Sequence, residues 1–357
     1  MKPFRLAAVL LCAALLLCAA LLSACSSAVP AGSGSPAVST PKATAVPMPA
    51  RQLGVDIDFY AYPGMNVTAL ARQDVAYVKS LHANAVSISF PFSSNARGTY
   101  AEAYQSTPTL SQLAALIAAA EGGGLAVTLR PLLDEKPLGK SRVFWVPANL
   151  PEWFAAYQQF LLPYAALAQR DQVAVFVVGT ELTKLSAVPE WGALDAAVRR
   201  VYRGQLAYAN NWSPEGGSSN GNGGPGLTET TDAYPQFQLA DSATVGALAT
   251  AWTRWARLLP SGTVLSEVGI GAQPGAYAHP YRWGTASLPI VPQIQVKWYD
   301  AACRAVTADH LGGIYFWSLT FGQSLAVPAD AGNAGSFVAA PGARAIASCY
   351  TTLGAAS

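Results

Sequence analysis

Val175-Phe-Val-Val-Gly-Thr-Glu-Leu182 is a short apolar run that stops on a single carboxylate. Its β-branched and aromatic residues show no alternation, which predicts a strand over residues 173–179 buried on both faces. Upstream, residues 151–168 carry helical spacing with Pro151 in the first turn. Downstream, residues 189–202 are helical again. The same unit repeats in both directions. Toward the N-terminus there are strands at 125–130, 85–90 and 53–58. A helix at 109–121 is stopped by Gly122-Gly123-Gly124, and a helix at 67–82 places Leu70, Val75, Val78 and Leu81 on one face. Toward the C-terminus come strands at 205–209, 263–266 and 313–317, with helices at 242–259, 292–309 and 339–350. An eighth strand is inferred at 230–233. Short, continuously apolar strands each followed by a helix or a long loop predict a parallel sheet covered by helices. About 300 residues suit one α/β domain, a (β/α)8 TIM barrel. An open doubly wound sheet would carry a glycine-rich turn after its first strand, and none follows Leu53-Gly-Val-Asp-Ile-Asp58.

Composition narrows the function. The chain has 357 residues, 52% of them hydrophobic and only 12% charged, about half the usual charged share. A net charge of +2 with no Lys/Arg run argues against nucleic acid as a partner. His82, His279 and His310 are scattered, so neither a metal nor another cofactor is expected. The glycine-rich stretch 216–226 lacks the Lys-Ser/Thr of a phosphate loop and follows no strand directly. It is expected as a flexible loop standing in for a helix between the fifth and sixth strands.

The N-terminus predicts export. Lys2 and Arg5 precede an apolar run from Leu6 to Leu22, and Leu22-Ser-Ala-Cys25 ends it. That is a signal peptide over residues 1–24, and the Cys after a small residue resembles the bacterial lipobox, implying lipidation of Cys25. A plain membrane anchor is the alternative, but the run is at the short end of the ~20 residues a span needs. Residues 25–50, rich in Ser, Ala, Pro and Thr, are expected to form a tether. The folded domain is then 51–357, a monomer in expectation, outside the cytoplasm and held to the membrane by its lipid. With the leader gone, Cys303 and Cys349 remain to pair in an oxidising compartment or to stay as two buried thiols.

In a parallel barrel the site forms at the C-terminal strand ends. Polar and aromatic residues fall there after every strand but the second: Asp56, Asp58 and Tyr60; Arg130 and Asp134; Glu181; Asn210, Asn211 and Trp212; Asp232 and Tyr234; Glu267; Trp317. Glu181 and Glu267 stand apart, because each closes a buried apolar run. Such rims can raise one carboxyl's pKa and leave another low, as paired acid and nucleophile roles require. Either glutamate alone fits equally well as a structural ion-pair partner of Arg130 or Lys184. Trp212 and Trp317 are placed to stack on a pyranose, and Trp145 and Trp283 lie in loops that offer further subsites. Trp153, Trp191, Trp252, Trp255 and Trp298 sit at helical positions suited to the core. Tyr60, Tyr62 and Tyr234 suit the cleft or plain packing.

Taken together, Phe176-Val-Val-Gly-Thr-Glu-Leu182, Tyr208-Ala-Asn-Asn-Trp212, Asp232-Ala-Tyr-Pro235, Ser266-Glu-Val-Gly269, Tyr315-Phe-Trp317 and Leu129-Arg-Pro131 resemble, in order, the retaining glycosidases of clan A. More narrowly, they are similar to bacterial endo-β-1,4-mannanases. The resemblance spans residues 53–317. It implies Glu181 as acid/base, Glu267 as nucleophile and a β-linked oligo- or polysaccharide as substrate. Asp58, Tyr60, Arg130, Asn210, Asn211, Trp212, Asp232, Tyr234 and Trp317 would then form the substrate site. Arg130 would keep Glu267 a carboxylate, or pair with Asp134 instead. Many clan members place Asn before the acid/base, where it meets the sugar 2-hydroxyl. Thr180 stands there in this chain, which shifts that contact to Asn210 or Asn211. Two other readings remain open: a non-catalytic glycan-binding barrel, and a solute-binding lipoprotein with two open lobes.

Overall fold

The computed structural model describes residues 46–213 and 226–355. The leader, Cys25, the tether up to residue 45 and all but Gly226 of the glycine-rich stretch lie outside the described residues.

Eight parallel strands close on themselves: β1 (Gln52–Asp58), β2 (Ala85–Phe92), β3 (Ala126–Leu133), β4 (Val175–Thr180), β5 (Gln205–Asn211), β6 (Thr228–Asp232), β7 (Val264–Val268) and β8 (Gly313–Thr320). Each pairs with its successor, and β8 returns to β1 through Leu53↔Ile314. That closure is a TIM barrel; it excludes the open sheet and the two-lobed solute-binding reading. Helices α1 (Val67–Ser80), α2 (Leu110–Gly122), α3 (Glu135–Leu138), α4 (Leu150–Arg170), α5 (Glu190–Val201), α6 (Val245–Ala256), α7 (Pro292–Ala308) and α8 (Pro341–Ala355) link or follow the strands. A Thr109–Gln112 capping box starts α2, and Gly124, at φ 79°, turns the chain after it into β3. Among the described residues no helix is long and apolar enough to cross a membrane.

β2 and β3 outrun their sequence-based ends, which stop before Pro91 and Pro131. In the barrel these prolines continue the ladder at its C-terminal rim, in the register Phe90↔Pro131 and Pro91↔Leu132. A missing N–H is cheapest near a strand's end. At the opposite end, Val46 and Met48, expected in the tether, instead belong to the folded domain: they pack beneath Tyr315, Val264, Val175 and Ala207 and stopper the barrel.

The outer layer is strongly aromatic. Trp153, Trp191, Trp252 and Trp298 are buried between helices and sheet, in line with their helical spacing. Trp145 departs from expectation. It is fully buried, edge-on to Trp153 at 5.2 Å, so it packs the β3–α4 connection and cannot meet a ligand. Cys303 of α7 and Cys349 of α8 form a disulfide that closes a loop of 46 residues.

Such a crosslink removes ~2–4 kcal/mol of unfolded-chain freedom. The double variant C303A/C349A is therefore expected to lose that much stability in urea titrations under oxidising conditions. A midpoint unchanged from wild type would contradict it.

Candidate active site

The site builds upward along the barrel axis. Above the Met48 stopper, Ser87, Thr128, Thr230 and Ser266 line an internal void of about 30 Å3, room for a water held by hydroxyls. Above the void lies Arg130, which is 1% exposed. One guanidinium nitrogen, Nη2, donates to Asp232 Oδ2 at 2.6 Å and to Glu267 Oε1 at 2.5 Å. Nε donates to Thr180 Oγ1 at 3.2 Å, and Asp56 lies 3.8 Å from Nη1. Of the two partners the sequence left open for Arg130, the barrel selects Glu267. Asp134 turns away to accept from the Tyr104 hydroxyl and the Lys136 amide.

Three carboxyls around one cation leave an excess of negative charge in a dry place. Burial raises the pKa of Asp56 and of Asp232, against the pull of Arg130. Asp232 also accepts from Ser266 Oγ at 2.8 Å. Arg130 and Asp232 are thus floor rather than wall. They sit too deep for the sugar contacts expected of them and instead support Glu267, whose second oxygen, Oε2, accepts from the Tyr234 hydroxyl at 2.5 Å.

Over this floor opens a cleft of about 530 Å3. Glu181 and Glu267 both face it, with Asn211, Trp212, Tyr234 and Trp317, so the sequence-predicted pair meets in one place. Backbone irregularities aim both. The β4–β5 register shifts between Val177 and Gly179, just ahead of Glu181. The β7–β8 register shifts between Leu265 and Val268, letting Ser266 face the void and Glu267 the cleft. Glu181 itself holds φ 51°, in the left-handed region, a conformation that costs a non-glycine residue ~1 kcal/mol. Two motif glycines are required by close approach. A Cβ on Gly179 would meet the Trp191 ring at 2.7 Å, and one on Gly269 would meet Trp283 at 2.8 Å.

The two glutamates have unlike surroundings. Glu267 is clamped at both oxygens by a guanidinium and a phenol. Glu181 accepts from no such pair; burial pushes its pKa up to about 7, with Arg142 opposing and the Glu267 charge adding to the rise. Arg142 Nε lies 3.8 Å from Glu181 Oε2 and 3.5 Å from Glu135 Oε1. Donors orient both oxygens of Glu267, while Glu181 carries a raised pKa suited to giving up a proton.

The other expected site residues divide. Trp283 lines the cleft edge-on to Tyr234 at 5.5 Å, and Trp212 stacks on Tyr281 at 6.2 Å. Asn211 faces the cleft, but Asn210 does not. Ala207 and Ala209 point into the barrel, so strand alternation turns Asn210 outward, where it is buried. Of the two asparagines, only Asn211 can reach a sugar. Thr180 spends its hydroxyl on Arg130 and the Pro131 carbonyl. Asp58 and Tyr60 are absent from the cleft lining, though both feel the charge of cleft residues: Asp58 that of Glu267 and Arg142, Tyr60 that of Arg142. Burial and the Glu267 charge push Asp58 up to about 7, and burial and the Asp58 charge raise Tyr60. Sequence reasoning missed Glu135, Arg142, Phe144, Gln236 and Tyr281, all in the wall. They lie in connections without periodicity, where the only available signal was a long loop after a barrel strand.

The comparisons agree with this geometry. Among curated proteins none matches the chain. A solved GH113 β-1,4-mannanase superposes with a TM-score of 0.71 at 19% identity, covering 84% of this chain and 99% of the other. A GH113 β-mannanase from Alicyclobacillus acidocaldarius gives a TM-score of 0.68 at 18% identity, with 85% and 98% covered. The profile of Glycoside Hydrolase Family 113 matches residues 57–337. That span holds every strand from the end of β1 to β8 and both cleft glutamates: the chain belongs to glycoside hydrolase family 113.

Proposed function

We propose that this glycosidase is a retaining enzyme acting on β-1,4-mannan or a closely related β-linked polymer. Glu181 is its acid/base and Glu267 its nucleophile. The observation that carries the reading is the pair itself: two carboxyls facing one cleft, one clamped by Arg130 and Tyr234, the other half-buried with its pKa pushed up to about 7. Two matching structures being β-mannanases supports the choice of mannan. The family and the intact pair weigh against a binding-only barrel.

In the first step Glu267 attacks the anomeric carbon as the glycosidic C–O bond breaks, and the Glu181 proton goes to the leaving oxygen. In the second, water attacks that carbon, its proton passes to Glu181, and Glu267 leaves as a carboxylate. Trp317 forms the platform under the reacting sugar, Asn211 meets the 2-hydroxyl, and Trp212, Trp283 and Tyr281 extend the path of a polymer. The enzyme works as a monomer outside the cytoplasm, tethered through lipid at Cys25; the lipobox-like Leu22-Ser-Ala-Cys25 supports that placement.

Release of reducing ends from mannan, glucomannan, cellulose and xylan tests the reading. Mannan is expected to be cleaved fastest. E181Q should lose ~100- to 10,000-fold in kcat on it, and E267Q should fall to background. Variants as active as wild type would refute the assignment. The wild-type kcat/KM should decline above about pH 7, as the Glu181 proton is lost; a profile flat to pH 9 would contradict Glu181 as the acid. Y234F, which strips one charge-assisted bond from Glu267, should cost ~10- to 100-fold in kcat/KM. An unchanged rate would remove Tyr234 from the nucleophile's support.

A further inference from the structure

A double displacement asks Glu181 to hold a proton in the first step and to lack it in the second. Something in the site must survive the first step and favour the carboxylate afterwards. Glu267 cannot, because its negative charge favours the Glu181 proton and is itself lost in the ester bond to the sugar. Arg130 is committed to Asp232 and Glu267 on the floor. Arg142 remains. It stands in the cleft wall with its Nε 3.8 Å from Glu181 Oε2, close enough for charge but too far for a hydrogen bond. The acid's proton therefore stays available to a leaving oxygen. Glu135 holds the residue in place: its Oε1 accepts from the Arg142 amide at 2.8 Å and lies 3.5 Å from Nε. The Arg142 side chain is only 14% exposed, so solvent screens little of its field.

Building on the proposed acid and nucleophile roles, we propose that Arg142, steadied by Glu135, is the positioning residue that holds Glu181 close enough to its carboxylate form for the loss of the Glu267 charge to turn it from acid into base. Three influences meet at Glu181: burial favours its proton most, Arg142 opposes, and the Glu267 charge adds to burial by a lesser amount. When C1 bonds to Glu267 Oε and the leaving group departs with the Glu181 proton, the Glu267 charge vanishes and Arg142 persists. The balance then tips toward the carboxylate, ready to take a proton from the attacking water. Other titratable groups facing Glu181 are Arg130, Glu135, Asp232, Tyr208 and Tyr234; Arg142 is also faced by Glu135, Glu267, Asp58 and Tyr60. None of these opposes the Glu181 proton as strongly as Arg142.

The test is a carbon-13 NMR titration of the Glu181 carboxyl in the full folded domain, with no substrate. Wild type should titrate near 7. E267Q, a stand-in for the esterified nucleophile, should titrate ~1 pH unit lower, and R142M ~1 pH unit higher. R142M/E267Q should sit above E267Q by the same ~1 pH unit. R142K, which keeps the charge, should follow wild type, and R142Q replaces R142M if the latter fails to fold. R142M or R142Q titrating at the wild-type midpoint would overturn the proposal. A kinetic arm uses an aryl β-mannoside with an activated leaving group, which needs no acid and makes deglycosylation limiting. R142M should there show its acid limb moved to higher pH and ~10-fold lower kcat at pH 6, restored by azide, a nucleophile that needs no base. A loss that azide leaves in place would mean a structural role only. If E181Q matches wild type on polymer, the catalytic reading has failed; the titration still reports on Arg142 by itself.

Discussion

A single buried guanidinium sits where the barrel's electrostatics converge. Arg130 places one nitrogen between Asp232 and Glu267, lends a second to Thr180, and stands 3.8 Å from Asp56. Strands β1, β4, β6 and β7 each send a side chain to this one cation, which β3 supplies. Removing one partner of a buried charge pair commonly costs ~3–5 kcal/mol, and here several carboxyls would be left without their counterion. The same contact fixes where Glu267 points.

The site works by contrast between two carboxyls. Around Glu267, donors take up both oxygens, and the Trp317 ring lies 5.9 Å from the Arg130 guanidinium beneath it. Around Glu181 there is burial, a left-handed backbone and one cation held off at charge-only range. Neither environment needs a metal or a cofactor to differ from the other. Aromatic rings from the ends of β5, β6 and β8 and from the β7–α7 connection line the cleft mouth.

Much of this was legible in the chain. Continuous apolar strands between helices foretold a closed parallel barrel, and the carboxylates ending Phe176–Leu182 and Ser266–Gly269 foretold the pair. The motif glycines now have reasons, since Trp191 crosses Gly179 and Trp283 crosses Gly269. Other features were hidden because they depend on register or on loops. Asn210 and Asn211 are indistinguishable by composition, and only strand alternation turns one in and one out. Trp145 lies in a loop, as read, yet packs inward on Trp153. The sequence points to Arg130 as the partner of Glu267, and it is, but depth within the barrel, which no spacing encodes, keeps Arg130 and Asp232 from the sugar contacts also expected of them. Arg142 and Glu135 belong to an aperiodic connection whose path only the fold defines.

The central claim is that Glu267 forms a covalent bond to the sugar. A 2-deoxy-2-fluoro-mannosyl donor with an activated leaving group slows release of that adduct more than its formation. Peptide mapping by mass spectrometry after its addition should find one fluorosugar, on the peptide that carries Glu267. A label on any other residue, or turnover of the donor with no adduct and an inverted first product, would contradict the account.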